Sequence, residues 1–209
     1  MISPISAPCL LVAMPSMLDS NFSQSVLLLA EHNAAGAIAF VLNRPSTVSL
    51  KSMISIIDRD VPEAIPAWYG GPVDTTTAII LHDKVAQTGD TEISPGINLS
   101  TKGKILDSLI EHGSIALQNG MGSSSHPGHA GLSGSSVHPY RFLVGYAGWG
   151  AGQLDDELKG GSWLLCPLDR KLVFDTGWND LWGACMAQIG MQKNPMVAAK
   201  KLSGIEYLN

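Results

Sequence analysis

The sequence predicts a mixed α/β (α+β) protein, because apolar runs of strand length alternate with segments of helical periodicity and some neighbouring runs are joined as hairpins. Composition agrees with this fold class. Hydrophobic residues make up 45% and charged residues 15% of the chain, which excludes a disordered protein and a long charged helix. The length of 209 residues suits one ample domain or two small ones.

The first forty residues indicate β structure. Cys9–Met14 is a compact apolar run that ends at Pro15. Residues 25–30 and 37–42 form two more apolar runs, and the short polar connection between them ends in Gly36, which predicts a hairpin. Because these runs are continuously apolar rather than alternating, we expect their strands to be covered on both faces.

The elements after this hairpin are less regular. Residues 44–47 are expected to break the strand and to cap a helix that carries Leu50, Met53, Ile54 and Ile57. Further strands are predicted at 77–82, 115–118, 140–147, 163–166 and 171–174, and further helices at 105–110, around 153–159 and from 178 to Gly190.

Residues 121–138 differ in kind from the rest. Ten of these eighteen residues are Gly or Ser, which is typical of a flexible linker or surface loop. A boundary between two domains would have the same composition.

Charge and cysteine usage limit the functions open to the protein. The net charge of -5, with 13 Lys and Arg, argues against nucleic-acid binding. No basic residue precedes Arg44 and the longest apolar run covers only residues 34–42, so neither a secretory signal nor a membrane helix is predicted. Cys9, Cys166 and Cys185 fit neither a disulfide framework nor a zinc site. We therefore expect buried free thiols in a soluble, cytoplasmic protein.

A glycine-rich stretch at residues 148–152 lies between a predicted strand and a predicted helix. Its backbone amides could cradle a phosphate, with Asp169 as a ribose-binding carboxylate about twenty positions later. However, the spacing is G-x-G-x-G and no complete βαβ unit follows. A sharp turn that lets Trp149 pack against the helix is the better interpretation.

Gln153 and Glu157 open the helix that follows this stretch, together with Asp155 and Asp156. Carboxylates in a first turn are stabilised by the helix dipole and need no catalytic explanation. A metal site would require ligands from elsewhere in the chain, so no metal or other cofactor is predicted.

Two polar segments could line a cleft. Asn43 and Arg44 end a buried strand, where Arg44 could reach the mouth of a cleft or, as the favoured alternative, pair with a helix carboxylate. Gly70 and Gly71 predict a tight turn, although glycine would also let a ligand approach the backbone.

The histidines suggest structural roles. His82 ends a predicted strand and His32 lies at the hairpin, while the His-x-x-His at 126–129 falls in the Gly/Ser loop without companion ligands. The sequence contains no G-x-S-x-G elbow, P-loop, H-E-x-x-H or C-x-x-C motif.

Taken together, these stretches resemble the YqgE/AlgH family of bacterial proteins. The resemblance covers nearly the whole chain and is most specific in Gly145–Leu154, Gly-Tyr-Ala-Gly-Trp-Gly-Ala-Gly-Gln-Leu. It extends to residues 11–15 with Asp19 and Phe22, Glu31-His32 with Gly36, residues 43–45, 70–73, Leu81-His82, Trp163, Phe174-Asp175 and Trp182.

The resemblance implies a single domain whose bent sheets form an open pseudo-barrel flanked by helices. The chain departs from the family pattern at Gln24, where an Arg is usual, and at Asp155, where a Glu is usual. Residues 121–138 look like an insertion at a place where the family has a short connection. An insertion argues against two domains.

The function that the resemblance implies is poorly defined and includes a role in transcriptional regulation. We expect a non-enzymatic regulatory or protein-interaction role without direct contact to DNA. The alternative is a small-anion or nucleotide-binding protein, or a metal-dependent hydrolase. Its cleft would combine Asn43 and Arg44 with Gly70 and Gly71, near His82, and with Trp149, Gln153 and Glu157. A protein partner is possible, and the sequence leaves the oligomeric state open.

Overall fold

The computed structural model describes residues 6–49, 52, 66–83, 89–101 and 140–190. Its centre is an open, curled, ten-stranded and mostly antiparallel sheet, with helices packed against it, so the predicted mixed fold class is confirmed. In chain order the strands are β1 (Cys9–Ala13), β2 (Val26–Asn33), β3 (Gly36–Val41), β4 (Pro45–Ser49), β5 (Pro66–Tyr69), β6 (Val73–His82), β7 (Asp90–Ser94), β8 (Ile97–Ser100), β9 (Tyr140–Gly150) and β10 (Trp163–Cys166). The helices are α1 (Gln153–Lys159) and α2 (Trp178–Gln188), with a π-helical segment at Lys171–Asp175 between them.

The long strand β9 joins the two halves of the sheet. The strand order is β10-β1-β2-β3-β9-β6-β8-β7, and β5 adds a parallel pairing to β9 and an antiparallel one to β4. The last residues of β9 pair with β3, whereas its earlier residues pair with β5 and β6. Gly145, at φ 73°, lies where the pairing changes and allows the strand to bend.

The core lies on both faces of β1, β2 and β3. Leu10, Val12 and Leu28 face one cluster, which α2 and the π-helical segment cover. Leu11, Leu27 and Leu29, the residues between them, face a second cluster with Trp149, Trp163 and the α1 residue Leu154. Two-sided burial explains why these strands have no polar alternation, and it confirms the expectation from the sequence.

The predicted hairpin is confirmed. β2 and β3 are antiparallel, with Asn33 opposite Gly36. The predicted strands at 163–166 and 77–82 are also found, the second starting earlier, at Val73. The helix predicted around 153–159 is found, and the one predicted from 178 to Gly190 ends at Gln188.

Three expectations about local structure were wrong or incomplete. Residues 45–49 form an edge strand rather than a helix cap, because Pro45 is tolerated as the first residue of such a strand. The buried run within 171–174 is π-helical and not extended. Periodicity in such a short apolar run does not distinguish a buried strand from a buried helical segment. The hairpin of β7 and β8 was missed, although Pro95-Gly96 signals its turn.

Several expectations concern residues outside the described part of the chain. These are the helix carrying Leu50 to Ile57, the helix at 105–110, the strand at 115–118 and the loop at 121–138. Within the described part, no helix has both the length and the apolar character needed to cross a membrane.

Candidate functional site

An open groove of about 920 Å³ lies where the ends of β3 and β5 meet the start of α2. We call it the Arg44 groove. Its described lining comes from the loop before β2, the start of β4, Tyr69 and one side of α2: Ser20, Asn21, Ser23, Gln24, Asn43, Arg44, Pro45, Ser46, Thr47, Tyr69, Trp178, Asn179, Trp182 and Gly183. This volume is at the upper end of the range that small-molecule sites occupy.

Asn43 holds the loop before β2 against the end of β3. Its Oδ1 accepts a hydrogen bond from the backbone N–H of Val26 at 2.9 Å, and its Nδ2 donates to the carbonyl of Gln24 at 2.9 Å. Gln24 adopts a left-handed conformation with φ 54°. Both polar groups of Asn43 are therefore used to shape the groove.

Arg44 supplies the positive charge of the groove. Its Nη2 donates to the carbonyl of Ser23 at 2.7 Å, which fixes the guanidinium beside the loop. Among the described residues Nη1 has no hydrogen-bond partner, and the buried Nε has none either. The ion pair with a helix carboxylate that the sequence favoured is not found in this part of the chain. Arg44 thus retains hydrogen-bonding capacity next to an open space.

Aromatic residues form much of the remaining wall. Trp182 donates its indole N–H to the carbonyl of Ala13 at 2.8 Å, and this bond fixes the ring. The Tyr69 hydroxyl donates to Oδ1 of Asn21 at 3.2 Å. Burial raises the pKa of Tyr69, an effect that nearby Arg44 opposes and Asp19 increases. The groove is therefore both polar and aromatic.

Glu157 has a different position, on the opposite face of the sheet. Its Oε2 accepts hydrogen bonds from the indole nitrogens of Trp149 at 2.9 Å and Trp163 at 2.8 Å. Its Oε1 accepts one from Gln153 at 3.1 Å. The two indoles meet edge to face, with their ring centroids 6.0 Å apart. We call this cluster of Trp149, Gln153, Glu157 and Trp163 the indole clamp.

The glycine-rich stretch at residues 148–152 does not form a phosphate loop. β9 continues through Gly148 and Trp149 to Gly150, because this part of the stretch pairs with β3. The N–H of Gly150 is donated to Oε1 of Gln153 at 3.1 Å. Oδ1 of Asp169 accepts a hydrogen bond from the backbone N–H of Lys171, at the start of the π-helical segment. Close packing of Trp149 against the helix, the better interpretation of the sequence, is what the indole clamp provides.

Gly70 and Gly71 pack against the backbone of β9. A Cβ on Gly70 would lie 2.3 Å from the carbonyl oxygen of Gly145, and one on Gly71 would lie 2.1 Å from the carbonyl carbon of Tyr146. Gly71 also has φ +155°. These glycines allow two chain segments to approach each other, and neither belongs to the described lining of the Arg44 groove.

His82 is buried at the end of β6, on a different part of the sheet. Its Nε2 lies 3.7 Å from Oδ2 of Asp90, which is also buried. The described residues contain no group of three or more His, Cys, Asp or Glu side chains arranged to hold a metal ion.

The structure thus separates the predicted site residues. Asn43 and Arg44 lie together in the groove, whereas Gly70 and Gly71 lie at a backbone crossing, His82 is buried in the sheet and the other three form the indole clamp. Sequence reasoning missed the contributions of residues 20–24 and α2. Trp178 and Trp182, four residues apart, were interpreted as part of an apolar stripe, and both do pack against the core as well.

Comparisons with known proteins agree with this fold. A family model described as AlgH-like matches residues 10–194. The chain is 32% identical over 192 residues to a UPF0301 protein of Paraburkholderia phymatum, covering 88% of each. It is 34% identical over 188 residues to one of Cupriavidus metallidurans, covering 87% of this chain and 86% of that protein.

Two solved structures are also similar. The solution structure of the AlgH protein from Pseudomonas aeruginosa has a TM-score of 0.66 and 28% identity, covering 100% of this chain and 99% of that one. A crystal structure of a Corynebacterium diphtheriae protein has a TM-score of 0.61 and 24% identity, covering 89% and 88%, which shows the fold alone.

Proposed function

The chain belongs to the AlgH-like family, and from this premise we propose that it is a non-enzymatic regulatory protein whose Arg44 groove binds the molecule to which it responds. The observation that carries the proposal is the groove itself. It combines a fixed guanidinium with hydrogen-bonding capacity to spare and a wall of aromatic residues. Such a surface can recognise a ligand without performing chemistry on it.

The state of the acid and base candidates supports a binding role over catalysis. A general base must reach a proton of the substrate with a free lone pair. Glu157 already accepts three side-chain hydrogen bonds in the indole clamp, and His82 is fully buried. The described lining of the groove contains neither a carboxylate nor an imidazole.

Any effect on transcription is proposed to be indirect. The net charge of -5 opposes the approach of the protein to a phosphate backbone. The three cysteines are free thiols in the structure. Free thiols are typical of a reducing compartment, which supports the proposal that the protein works in the cytoplasm.

Filling the groove tests the proposal. Asn179 is exposed on α2 and lines the groove, so Asn179→Trp should occupy the space without disturbing the core. In bacterial cells lacking the gene, wild-type protein should restore the normal transcript profile and Asn179→Trp should not. Lys159→Trp, an exposed substitution on α1 outside the described lining, is the matched control and should restore it.

The comparison requires equal folding of the three proteins, measured by thermal melting and by their amounts in the cell. Full restoration by Asn179→Trp would show that the groove is not the working surface. Turnover of a substrate by the purified protein, with loss of that activity in an Arg44 variant, would show that the protein is an enzyme.

A further inference from the structure

We propose that the Arg44 groove binds a small aromatic carboxylate, with the carboxylate at Arg44 and the ring against Trp178. The inference rests on the proposed function and names the class of ligand. It follows from the charge of the groove, from the hydrogen bonds of its guanidinium and from the position of its aromatic wall.

The first step concerns charge. Arg44 is the one charged side chain in the described lining of the groove. A ligand with one negative charge would neutralise it, whereas a polyphosphate would bring several charges that no second cation in the described lining meets. Charge complementarity therefore favours a monoanion over a nucleoside triphosphate.

The second step concerns geometry at Arg44. The bond from Nη2 to the Ser23 carbonyl fixes the guanidinium before any ligand arrives, so little side-chain entropy remains to be lost on binding. Nη1 has no hydrogen-bond partner among the described residues and is the nitrogen left for a ligand. A carboxylate is a strong acceptor for a guanidinium, because both groups are planar and their opposite charges strengthen the hydrogen bonds.

The position of the anion within the groove follows from its neighbours. The negative charge of Asp19 contributes to the raised pKa of Tyr69, whereas the positive charge of Arg44 opposes it. A ligand anion is repelled by the first of these charges and attracted by the second. The carboxylate is therefore placed at Arg44.

The third step concerns the apolar part of the ligand. Trp178 and Trp182 are four residues apart and lie on the same side of α2, where both line the groove. Trp182 is fixed by its bond to Ala13, and Trp178 is partly buried against the core. A planar ring gains both buried area and a favourable aromatic contact against an indole. A flat ligand fits this wall better than a branched aliphatic one.

Isothermal titration calorimetry with four probes tests the inference. The probes are naphthalene-2-carboxylate, the neutral naphthalene-2-carboxamide, the non-planar cyclohexanecarboxylate and ATP. We expect the aromatic carboxylate to bind at least about tenfold more tightly than each of the others. Equal binding of the carboxylate and the carboxamide, tighter binding of ATP, or no binding of any probe would overturn the inference.

Variants assign any binding to the groove. Arg44→Gln should weaken carboxylate binding about tenfold or more and leave carboxamide binding unchanged, and Trp178→Leu should weaken both aromatic probes. Lys159→Gln removes one positive charge on exposed α1 and should change neither affinity. Since Arg44→Gln could also loosen the loop at Ser23, Asn179→Trp provides a second test and should weaken binding, because it places a bulky indole in the groove next to Trp178 in the sequence. Unchanged carboxylate affinity in both Arg44→Gln and Asn179→Trp would contradict the proposal.

The two proposals fail in different ways. If no carboxylate binds but Asn179→Trp still fails to restore the transcript profile, the ligand class is wrong and the regulatory groove stands. If Asn179→Trp restores the profile, the proposed function fails, whatever the calorimetry shows.

Discussion

Glu157 shows how one carboxylate can hold two elements together. It joins α1 to β9 and β10 through the indole nitrogens of Trp149 and Trp163, both of which are buried. A buried donor that loses its acceptor costs about 1–3 kcal/mol, because water cannot replace the lost bond. The indole clamp should therefore contribute measurably to the free energy of unfolding.

Replacing Glu157 by alanine should lower the free energy of unfolding by about 3 kcal/mol, since two buried indole N–H groups lose their acceptor. Urea unfolding followed by far-UV circular dichroism would measure this. Asp156→Ala, one residue away, removes only an exposed pair with Lys159 and should change stability by less than about 1 kcal/mol. Equal stability of the Glu157 variant and wild type would contradict the structural role.

Cys9 provides a prediction about pH. Burial raises the pKa of its thiol to about 11, and the neighbouring Cys166 adds to the effect. Only the thiolate reacts with iodoacetamide, so alkylation of Cys9 in the folded protein should be slow at pH 8 and should accelerate toward pH 11. Mass spectrometry after timed alkylation checks this. A rate at pH 8 like that of an unfolded cysteine would show that the thiol is not shielded.

The same thiol links stability to pH. In the unfolded chain a cysteine ionises at a pH of about 8.5, so between this value and about 11 the folded state retains a proton that the unfolded state has lost. Stability should therefore fall as pH rises through this window. Urea unfolding at pH 8 and pH 10 should show a smaller loss of stability for Cys9→Ala than for wild type. An identical loss in both proteins would exclude this contribution.

Among the elements, the turn between β5 and β6 depends directly on glycine. It brings Gly70 and Gly71 against the bend of β9 at Gly145, and no side-chain atom fits between these backbones. The same glycines that suggested a pocket in the sequence are explained by this crossing. A close approach of a ligand and a close approach of another strand both require a residue without a side chain, so the sequence alone does not distinguish them.

Substitution of Gly71 by alanine should lower the free energy of unfolding by about 3 kcal/mol or more, because a Cβ would overlap Tyr146 and the residue has positive φ. Gly161 also has positive φ, at +73°, but a Cβ there would meet no atom within 4 Å. Gly161→Ala should therefore cost only about 1–2 kcal/mol. Similar losses for the two variants would argue against the close approach to β9.

For the whole molecule, the charge of the chain predicts its behaviour toward DNA. With a net charge of -5, we expect no shift of a random 30-base-pair duplex in a gel-mobility assay at about 50 mM salt and about 10 μM protein. A retarded band whose affinity falls steeply with added salt would contradict this and would indicate a local basic surface. The calorimetric groove assay is independent of this result.

The sequence by itself determined the mixed fold class, the hairpin of β2 and β3 and the two-sided burial of the central strands. Each of these follows from local apolar patterning, as at Leu27 and Leu28, which face opposite clusters. Patterns within a few residues were sufficient for these conclusions. For Arg44, the position after a buried strand allowed a place at a cleft, but the sequence favoured an ion pair with a helix carboxylate, which is not found among the described residues.

Only the tertiary structure decided which distant residues meet. It places Arg44 in the lining of the same groove as Trp178 and Trp182, which are more than 130 positions away. It also takes Glu157 out of the proposed cleft and places it between two indoles. It also turns the run at 171–174 into a π-helical segment. These outcomes depend on long-range packing across the sheet, and periodicity along the chain carries no information about which faces pack together.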